Sequence, residues 1–317
     1  MVVRPVVTGE LDWFAGLAGA PDAGLAASLS RGLAAGMTSL DRILVATGED
    51  GRTAGRAALV VDDPDAPMEA WLTGFWLAPW LDAEAEAGAG PVAQALVEGL
   101  VAASAGLGVA IDARINAETT ADPVAQVAVL ASAGFTLFQE KAGLVWTDDG
   151  APVPEPGRLR FTSLDDLGPD GRDMLAGVMA RGTAGTLDRN DTFFRDLVGP
   201  AAWGRIMTGF ATPEDDASWF LARLPDGRDA GYVLLSAFGE PGVATIVHIG
   251  VVPEQRGSGY VLDLLSRANL AARARGFTSI LSDVDVDNAP MLAAMARAGH
   301  RSGVRPWHVW HLRHPAP

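Results

Sequence analysis

The segment Thr245 to Tyr260, TIVHIGVVPEQRGSGY, runs an apolar stretch into a proline and then opens a helix with Arg256-Gly257-Ser258-Gly259. Pro253 has no N–H, so a sheet ladder ends there. The two glycines let successive backbone N–H groups turn toward one point without Cβ obstruction, and the helix N-terminus adds about half a positive charge. Such a turn suits an anion such as a diphosphate, with Arg256 adding charge at its rim. The same residues also suit a plain helix cap. A dinucleotide fold would need G-x-G-x-x-G after a first strand, and a triphosphate site would need the Walker lysine; neither is present.

Proton chemistry has fewer candidates. His248 is the best-typed general base, because a neutral imidazole with a free pKa of about 6.5 takes a proton at neutral pH; the alternative is a structural histidine in the wall of a site. In Ser282 to Asn288, SDVDVDN, Asp283 and Asp285 share one strand phase and together suit an ammonium group. With Asp287 they equally suit a solvated loop end or a cap for the helix from Ala289. The D-x-D-x-D run lacks the glycine and distal glutamate of a calcium loop, and no metal is expected. There is no cysteine, which excludes disulfides, thiolate nucleophiles and Cys-ligated zinc. His308, His311 and His314 are spaced by threes, but Trp307 to Leu312 has the pattern of a final strand, where His308 and His311 point to opposite faces and fit edge positions better than a ligand set.

The elements that must position these residues fall into two similar sets. Asp148 to Gly157, DDGAPVPEPG, is the clearest linker, and the 317 residues suit two domains of roughly 150 each, 1–150 and 158–317. In the second, a short strand at Leu159–Thr162 and helices at Leu164–Arg181 and Thr192–Phe210 precede a meander of strands at Ser218–Leu224, Ala230–Phe238 and Val243–Val252. A helix at Gly257–Arg275, a strand at Phe277–Val284, a helix at Ala289–Arg297 and the strand Trp307–Leu312 follow. The first half repeats this order: helix Leu25–Met37, hairpin Arg42–Thr47 with Gly55–Val61, central strand Met68–Leu77, helix Pro91–Ala103, strand Gly108–Ala113, helix Pro123–Ala133 and strands within Phe135–Trp146. Both halves are α/β (α+β in arrangement), each a mixed, mostly antiparallel sheet flanked by helices.

Bulk composition narrows the partners. Hydrophobic residues make up 49% and charged residues 20%, values of a folded chain able to bury a sizeable core. A net charge of -15 opposes binding to nucleic acid or to anionic membranes. The acidic excess suits either a cationic substrate or plain solubility. No basic start with an apolar run and no membrane-length apolar stretch is present, so a cytoplasmic protein is expected.

The spacing V-x-P-x-x-R-G-x-G after a third consecutive antiparallel strand resembles motif A of the GNAT (GCN5-related) N-acetyltransferase superfamily. Asn288-Ala289-Pro290-Met291 through Arg297-Ala298-Gly299-His300 resembles that family's following segment, N-x-x-A-x-x-x-Y-x-x-x-G-[FY], over a likeness extending from Arg158 to Arg313. RGTAGTLDRND, HIGVVPEQRGSGYVLDLL and SDVDVDNAPM resemble a group of actinobacterial members. The resemblance implies tandem GNAT folds and acetyl-CoA as co-substrate. The strand of Thr245–Val252 would splay from that of Phe277–Val284, with pantetheine in the gap on backbone groups of Val251 and Val252. N–H groups of Arg256, Gly257, Ser258, Gly259, Tyr260 and Val261 would hold the diphosphate, and Asn288 and Met291 would flank the pantetheine arm. A small-molecule amine would then attack the thioester directly, without a covalent nucleophile.

Departures from the family pattern concern the proton steps. Met295 stands where many members carry an acid tyrosine, so that either Tyr260 or a water serves as acid or the thiolate leaves unassisted, and His300 replaces the aromatic residue after the glycine. Members with a catalytic glutamate on the central strand place it at the phase of Thr245 or Val247, so His248 would need a β-bulge to reach the cleft. The candidate catalytic set is His248, Asp285 and Tyr260. In the first half, Pro79 matches Pro253, but Asp82 replaces Arg256 and is followed by Glu84 and Glu86, carboxylates that repel a diphosphate. Gly88-Ala89-Gly90 is a weaker anion turn, and Leu130 stands at the acid position. That domain is therefore expected to be degenerate and supportive, with Trp71, Trp76 and Trp80 in its core or lining a cleft. The expected activity is transfer of acetyl from acetyl-CoA to a small amine by a monomer or homodimer. The alternatives are another acyl-CoA or a hydroxyl acceptor, as in natural-product tailoring or self-resistance, or a non-catalytic acyl-CoA-binding regulator.

Overall fold

The computed structural model describes residues 1–17, 23–65, 67–79, 81, 89–116, 123–237, 239–303 and 307–312. The chain divides into two compact units, Met1–Phe138 with Trp307–Pro317, and Gln139–Pro306. The linker Asp148–Gly157 therefore falls inside the second unit, and the last strand, expected to close the C-terminal domain, belongs to the first.

In unit 1 the strands β1 (Val2–Pro5), β2 (Ile43–Thr47), β3 (Thr53–Val61), β4 (Ala70–Leu77) and β5 (Ile111–Asn116) lie in that order. All neighbours are antiparallel except β4 and β5. The chain's last strand, Trp307–Leu312, runs antiparallel to β5, with Trp307 opposite Asn116 and Leu312 opposite Ile111. Alternation along β2 feeds two cores. Leu44 and Ala46 face α3 (Ala89–Ala103) and α4 (Pro123–Ser132), whereas Ile43 and Val45 face α1 (Leu11–Gly16) and α2 (Ala23–Ala34). The strand β1 and the helix α1 are additions to the sequence-based expectation.

Strand β6 (Thr136–Thr147) enters unit 2 from Gln139 onward. That unit continues with β7 (Arg160–Ser163), α5 (Leu164–Leu167), α6 (Gly171–Gly182), α7 (Arg189–Val198), α8 (Pro200–Gly209) and the meander β8 (Trp219–Arg223), β9 (Asp229–Ala237) and β10 (Val243–Val251). It ends with α9 (Val261–Ala274), β11 (Ser279–Asp285), α10 (Ala289–Arg297) and a two-residue β12 (Arg301–Ser302). The sheet order is β6-β11-β10-β9-β8-β7, mostly antiparallel with β10 and β11 parallel. Each of the two long helices expected before the meander is split at a Gly-Pro pair. Gly168 (φ 74°) and Gly199 (φ 84°) take left-handed or mirror-extended conformations, and Pro169 and Pro200 cannot donate to a preceding turn.

Helix α9 positions the site. Leu264, Leu265, Ala268, Ala271 and Ala272 recur on one face and are buried in the unit 2 core with Val233, Ala244 and Ile280. Truncating Leu264 or Leu265 to alanine costs about 2–5 kcal/mol by cavity formation. The helix starts at Val261, four residues later than expected, because Gly257 (φ 77°) and Gly259 (φ 72°) hold the preceding turn out of helical geometry. Among the described residues no helix is long and apolar enough to cross a membrane.

Candidate functional site

Strands β10 and β11 pair only at Val243–Thr245 with Ser279–Leu281, and beyond that point they diverge. The split opens a cavity of about 760 Å³, lined by Thr245–Val251, the turn after β10, Ser282–Val284, the first turn of α7 and the start of α10. Which backbone groups face it follows from the β9–β10 ladder. The N–H of Val252 donates to Ala230 (3.0 Å), so by alternation the groups of Ile249 and Val251 face the split. Val252 itself is fully buried and accepts from Gln255 N–H (2.9 Å), which corrects its expected role as an open strand partner. Ile249 takes that place.

The turn from Arg256 to Tyr260 is held from behind. Arg158 donates to the carbonyls of Ser258 (2.9 Å) and Gly259 (2.8 Å), pairs with Asp263 and covers the Tyr260 ring at 5.1 Å. Because the peptides are trans and planar, turning those carbonyls toward Arg158 aims the N–H groups of Gly259 and Tyr260 the other way. Among the described residues, the N–H groups of Gly257, Ser258, Gly259, Tyr260 and Val261 meet no backbone acceptor. The helix dipole adds to them, and N–H groups so arranged are the kind that suit an anion. Arg256 has a different place from the one its sequence position suggests. Its guanidinium donates to the carbonyls of Val251 (3.2 Å), Gly182 (2.8 Å) and Gly185 (3.2 Å), bracing the turn against the end of α6. Asn288 caps α10 by accepting from Met291 N–H (3.3 Å), and both residues line the cavity, as does Tyr260.

His248 lies beside a β-bulge. Ile246 pairs with Leu235 and His248 with Leu234, leaving Val247 as the extra residue. The bulge shifts the strand phase and brings His248 into the cavity wall. Its Nε2 lies 2.9 Å from Oδ1 of Asp191 and its Nδ1 3.1 Å from the Tyr232 hydroxyl. Trp203 Nε1 donates to the same Asp191 oxygen at 2.9 Å. Burial pushes the His248 pKa down, but the Asp191 carboxylate outweighs it by charge and hydrogen bond, and the net position is above the ordinary imidazole value. Asp191 is affected by burial in the opposite sense, yet His248 and Trp203 hold it below the usual carboxylate range. Tyr232 is raised well above a free phenol by burial and then by the Asp191 charge. Gly182 makes room for its ring, since a Cβ there would lie 2.7 Å from Tyr232 Cε1.

Asp285 does not share the cavity with Asp283. It is buried, with Oδ1 accepting from Gln139 Nε2 (2.6 Å) and Oδ2 from the Arg189 N–H (2.8 Å), so it docks the start of α7. Burial, followed by the Asp188 charge, raises its pKa. Asp283 lies at the cavity and pairs with Lys141 Nζ at 2.8 Å, while Asp188 and Asp285 lie 3.6 and 4.0 Å from the same ammonium. Burial lowers the Lys141 pKa, but these carboxylates outweigh it and keep the group charged. Met295 is buried in the cavity wall. His300 is buried near Ser282 (3.5 Å), its Nε2 meets no partner among the described residues, and burial pulls its pKa down to about 4.

Asp191, Tyr232, Trp203, Lys141 and Arg158 were not singled out by the sequence. Two composition signals pointed to them: Lys141 is the only lysine in the chain, and Tyr232 is one of two tyrosines. Asp191 carried no such signal, because an acidic residue in the first turn of a helix is ordinary.

Unit 1 is built differently at the matching places. TAGR on β3 corresponds to DAGY on β9, so Arg56 stands where Tyr232 does; its guanidinium donates to the carbonyls of Gly74 (3.0 Å) and Phe14. Leu130 is core. Trp71 and Trp76 are half-buried on β4, and Arg114 lies over the Trp71 ring at 5.7 Å. His311 is buried, paired with Asp112 at 2.8 Å and stacked on Phe138, while His308 sits opposite Ile115. Trp80, Asp82, Glu84, Glu86, Gly88, Arg313 and His314 lie outside the described residues. Among the described residues no cluster of three or more His, Asp or Glu is arranged to hold a metal ion.

Residues 190–300 match the profile described as the acetyltransferase (GNAT) family. No curated protein matches the chain. A GCN5-related N-acetyltransferase from Sphaerobacter thermophilus superposes with a TM-score of 0.59 at 18% identity, over 98% of this chain and 95% of that one. A GCN5-related glucosamine N-acetyltransferase region of a fungal multi-domain GH3 β-N-acetylglucosaminidase gives 0.61 at 16% identity, over 98% and 38%. A tandem GNAT protein from the clavulanic acid biosynthesis pathway gives 0.53 at 17% identity, over 100% and 99%. At these identities the likeness is one of fold.

Proposed function

Residues 190–300 match the model of the GNAT acetyltransferase family, and on that likeness we propose that unit 2 transfers an acetyl group from acetyl-CoA to a small-molecule amine. The observation that carries this reading is the pairing of a strand split with a turn of five N–H groups that lack backbone acceptors at its mouth. The residues fit the co-substrate. Gly257 and Gly259 leave the diphosphate face open, since a Cβ on Gly257 would meet nothing within 4 Å and one on Gly259 would meet only Arg158 at 3.8 Å. Backbone groups of Ile249 and the N–H of Val251, whose carbonyl accepts from Arg256, would bind the pantetheine amides as a strand does, and Met291 and Asn288 would flank the arm. Acetyl-CoA supplies the thioester carbonyl that the amine attacks: a C–N bond forms, the C–S bond breaks, and the acceptor ammonium loses two protons, one to the leaving sulfur and one to solvent.

His248 has both ring nitrogens engaged, so it acts on the acceptor through Asp191 and is a positioning residue. Tyr260, which lines the cavity at the turn, remains the candidate acid, because the buried Met295 carries no proton. Unit 1 supports the fold without a second centre: Arg56 replaces Tyr232, and β4 carries no histidine. A second reading, a non-catalytic acyl-CoA binder, is favoured by Met295 and by the doubly engaged imidazole.

Calorimetry with acetyl-CoA followed by a free-thiol release assay over an amine panel separates the two. Binding with thiol release supports the transferase, and binding without release supports the binder. Gly257→Ala combined with Gly259→Ala should weaken acetyl-CoA at least tenfold, since both φ values are strained for L side chains. Unchanged affinity would refute the donor site.

A further inference from the structure

The split between β10 and β11 has two chemically different ends. Near the turn the cavity presents N–H groups, and Arg256 is engaged with carbonyls. Near the vertex, where pairing stops at Thr245 and Leu281, it presents carboxylates. His248 lies three strand residues before Val251, so the two ends are separated by about 10 Å at a rise of about 3.3 Å per residue.

The carboxylates at the vertex have unequal commitments. Asp188 is the cap of α7, accepting from Asp191 N–H at 3.0 Å, and its other oxygen faces Lys141. Asp283 uses Oδ1 for Lys141. Asp191 receives both its donors on Oδ1 and is nine-tenths buried. Each of Asp191 and Asp283 thus keeps a second carboxylate oxygen without a protein donor among the described residues. Three lining carboxylates stand against one ammonium, Lys141, and protonation of His248 still leaves this end negative. Trp203, Met207 and Leu187 add apolar wall and Thr186, Asn190, Thr245 and Ser282 add neutral polar groups, so beyond Lys141 and His248 this end offers no cation to an anionic substituent.

We propose that the acceptor of this site is a cationic aliphatic amine, with Asp191 receiving the reacting ammonium and Asp283 a second positive charge on the same molecule. The inference rests on the transferase reading of the site and deepens it to a substrate class. An acceptor carrying a carboxylate near its amine is disfavoured, because its charge would face Asp283 with Lys141 already neutralised.

Three probes of one chain length test it: 1,4-diaminobutane, butylamine and 4-aminobutanoate, each assayed with acetyl-CoA by thiol release and by calorimetric binding to the protein saturated with CoA. The expected order of kcat/KM and of affinity is diamine above butylamine above 4-aminobutanoate, with at least tenfold between the first and last. Asp283→Asn should bring the diamine to within about threefold of butylamine, and Asp191→Asn should lower all three. Equal or better use of 4-aminobutanoate overturns the proposal, as does a diamine preference that survives Asp283→Asn. If acetyl-CoA binds and none of the amines binds, the cation assignment fails while the donor site stands. If acetyl-CoA itself does not bind, the underlying reading fails, and the substrate class falls with it.

Discussion

His248 Nε2 lies 2.9 Å from Oδ1 of Asp191, joining residues 57 positions apart across the wall of the cavity. The contact fixes which carboxylate stands at the site and leaves the imidazole without an open nitrogen, because Tyr232 holds the other side.

Asp191→Asn removes the negative partner while keeping the shape. Transfer should fall by a factor of about 10²–10⁴, the range for loss of a group that handles a proton, Asp191 being placed to pass the ammonium's proton on to solvent. Acetyl-CoA affinity should change less than threefold. His248→Gln should show a smaller loss of kcat and a shifted pH profile. Steady-state kinetics from pH 6 to 9 check both, and an Asp191→Asn enzyme of full activity would remove Asp191 from the mechanism.

The same pair makes stability depend on pH. The folded His248 pKa is raised above the free value, so its contribution is fully present below about pH 6.5 and is lost as the pH rises through the folded pKa. The melting-temperature gap between the native protein and His248→Gln should therefore be wider at pH 6 than at pH 9. A gap that widens with increasing pH would contradict the sign.

Lys141→Met leaves Asp188, Asp283 and Asp285 facing one another without their cation. Breaking a buried pair from one side costs about 3–5 kcal/mol, and for a unit of this size each kcal/mol lowers the melting temperature by roughly 2–4 °C. Arginine should rescue only part of the loss, because a planar fork does not fit a point-charge position. Thermal unfolding of Lys141→Met and Lys141→Arg is the measurement.

Arg158→Met frees the carbonyls of Ser258 and Gly259. The turn should loosen, and the KM for acetyl-CoA should rise about tenfold with kcat nearly unchanged. The guanidinium is half-exposed but its partner Asp263 is buried, so the unpaired carboxylate should also lower the melting temperature, by less than the loss of the more enclosed Lys141 does. A fall in kcat with constant KM would place Arg158 elsewhere in the mechanism.

Much of unit 2 was legible because its signals are local. Pro253, Gly257 and Gly259 declare a strand end and a left-handed turn through backbone sterics alone, and Asn288 three residues before Met291 has the form of a cap. The meander and α10 follow from periodicity. The start of α9 and the split helices were misjudged where glycine conformation outweighed apolar pattern, as at Gly168, Gly199 and Gly259.

The sequence by itself determined the glycine turn after β10 and the alternating strands, since each depends on residues within one turn or one strand; the donor it suggested came from the resemblance to a family. Only the tertiary structure decided what surrounds His248 and how the chain divides. The phase of His248 depends on a bulge set by pairing with β9, and Asp191 reaches it from a separate helix docked by Asp285. Placing the last strand beside β5 and β6 beside β11 is a choice among apolar strand edges that look alike along the chain. Strand pairing is non-local: a pattern of alternation states which face is buried and leaves the neighbour to packing. The turn from Val251 to Val261 could thus be read from its own residues, whereas the partner that makes His248 meaningful had to be brought there by the fold.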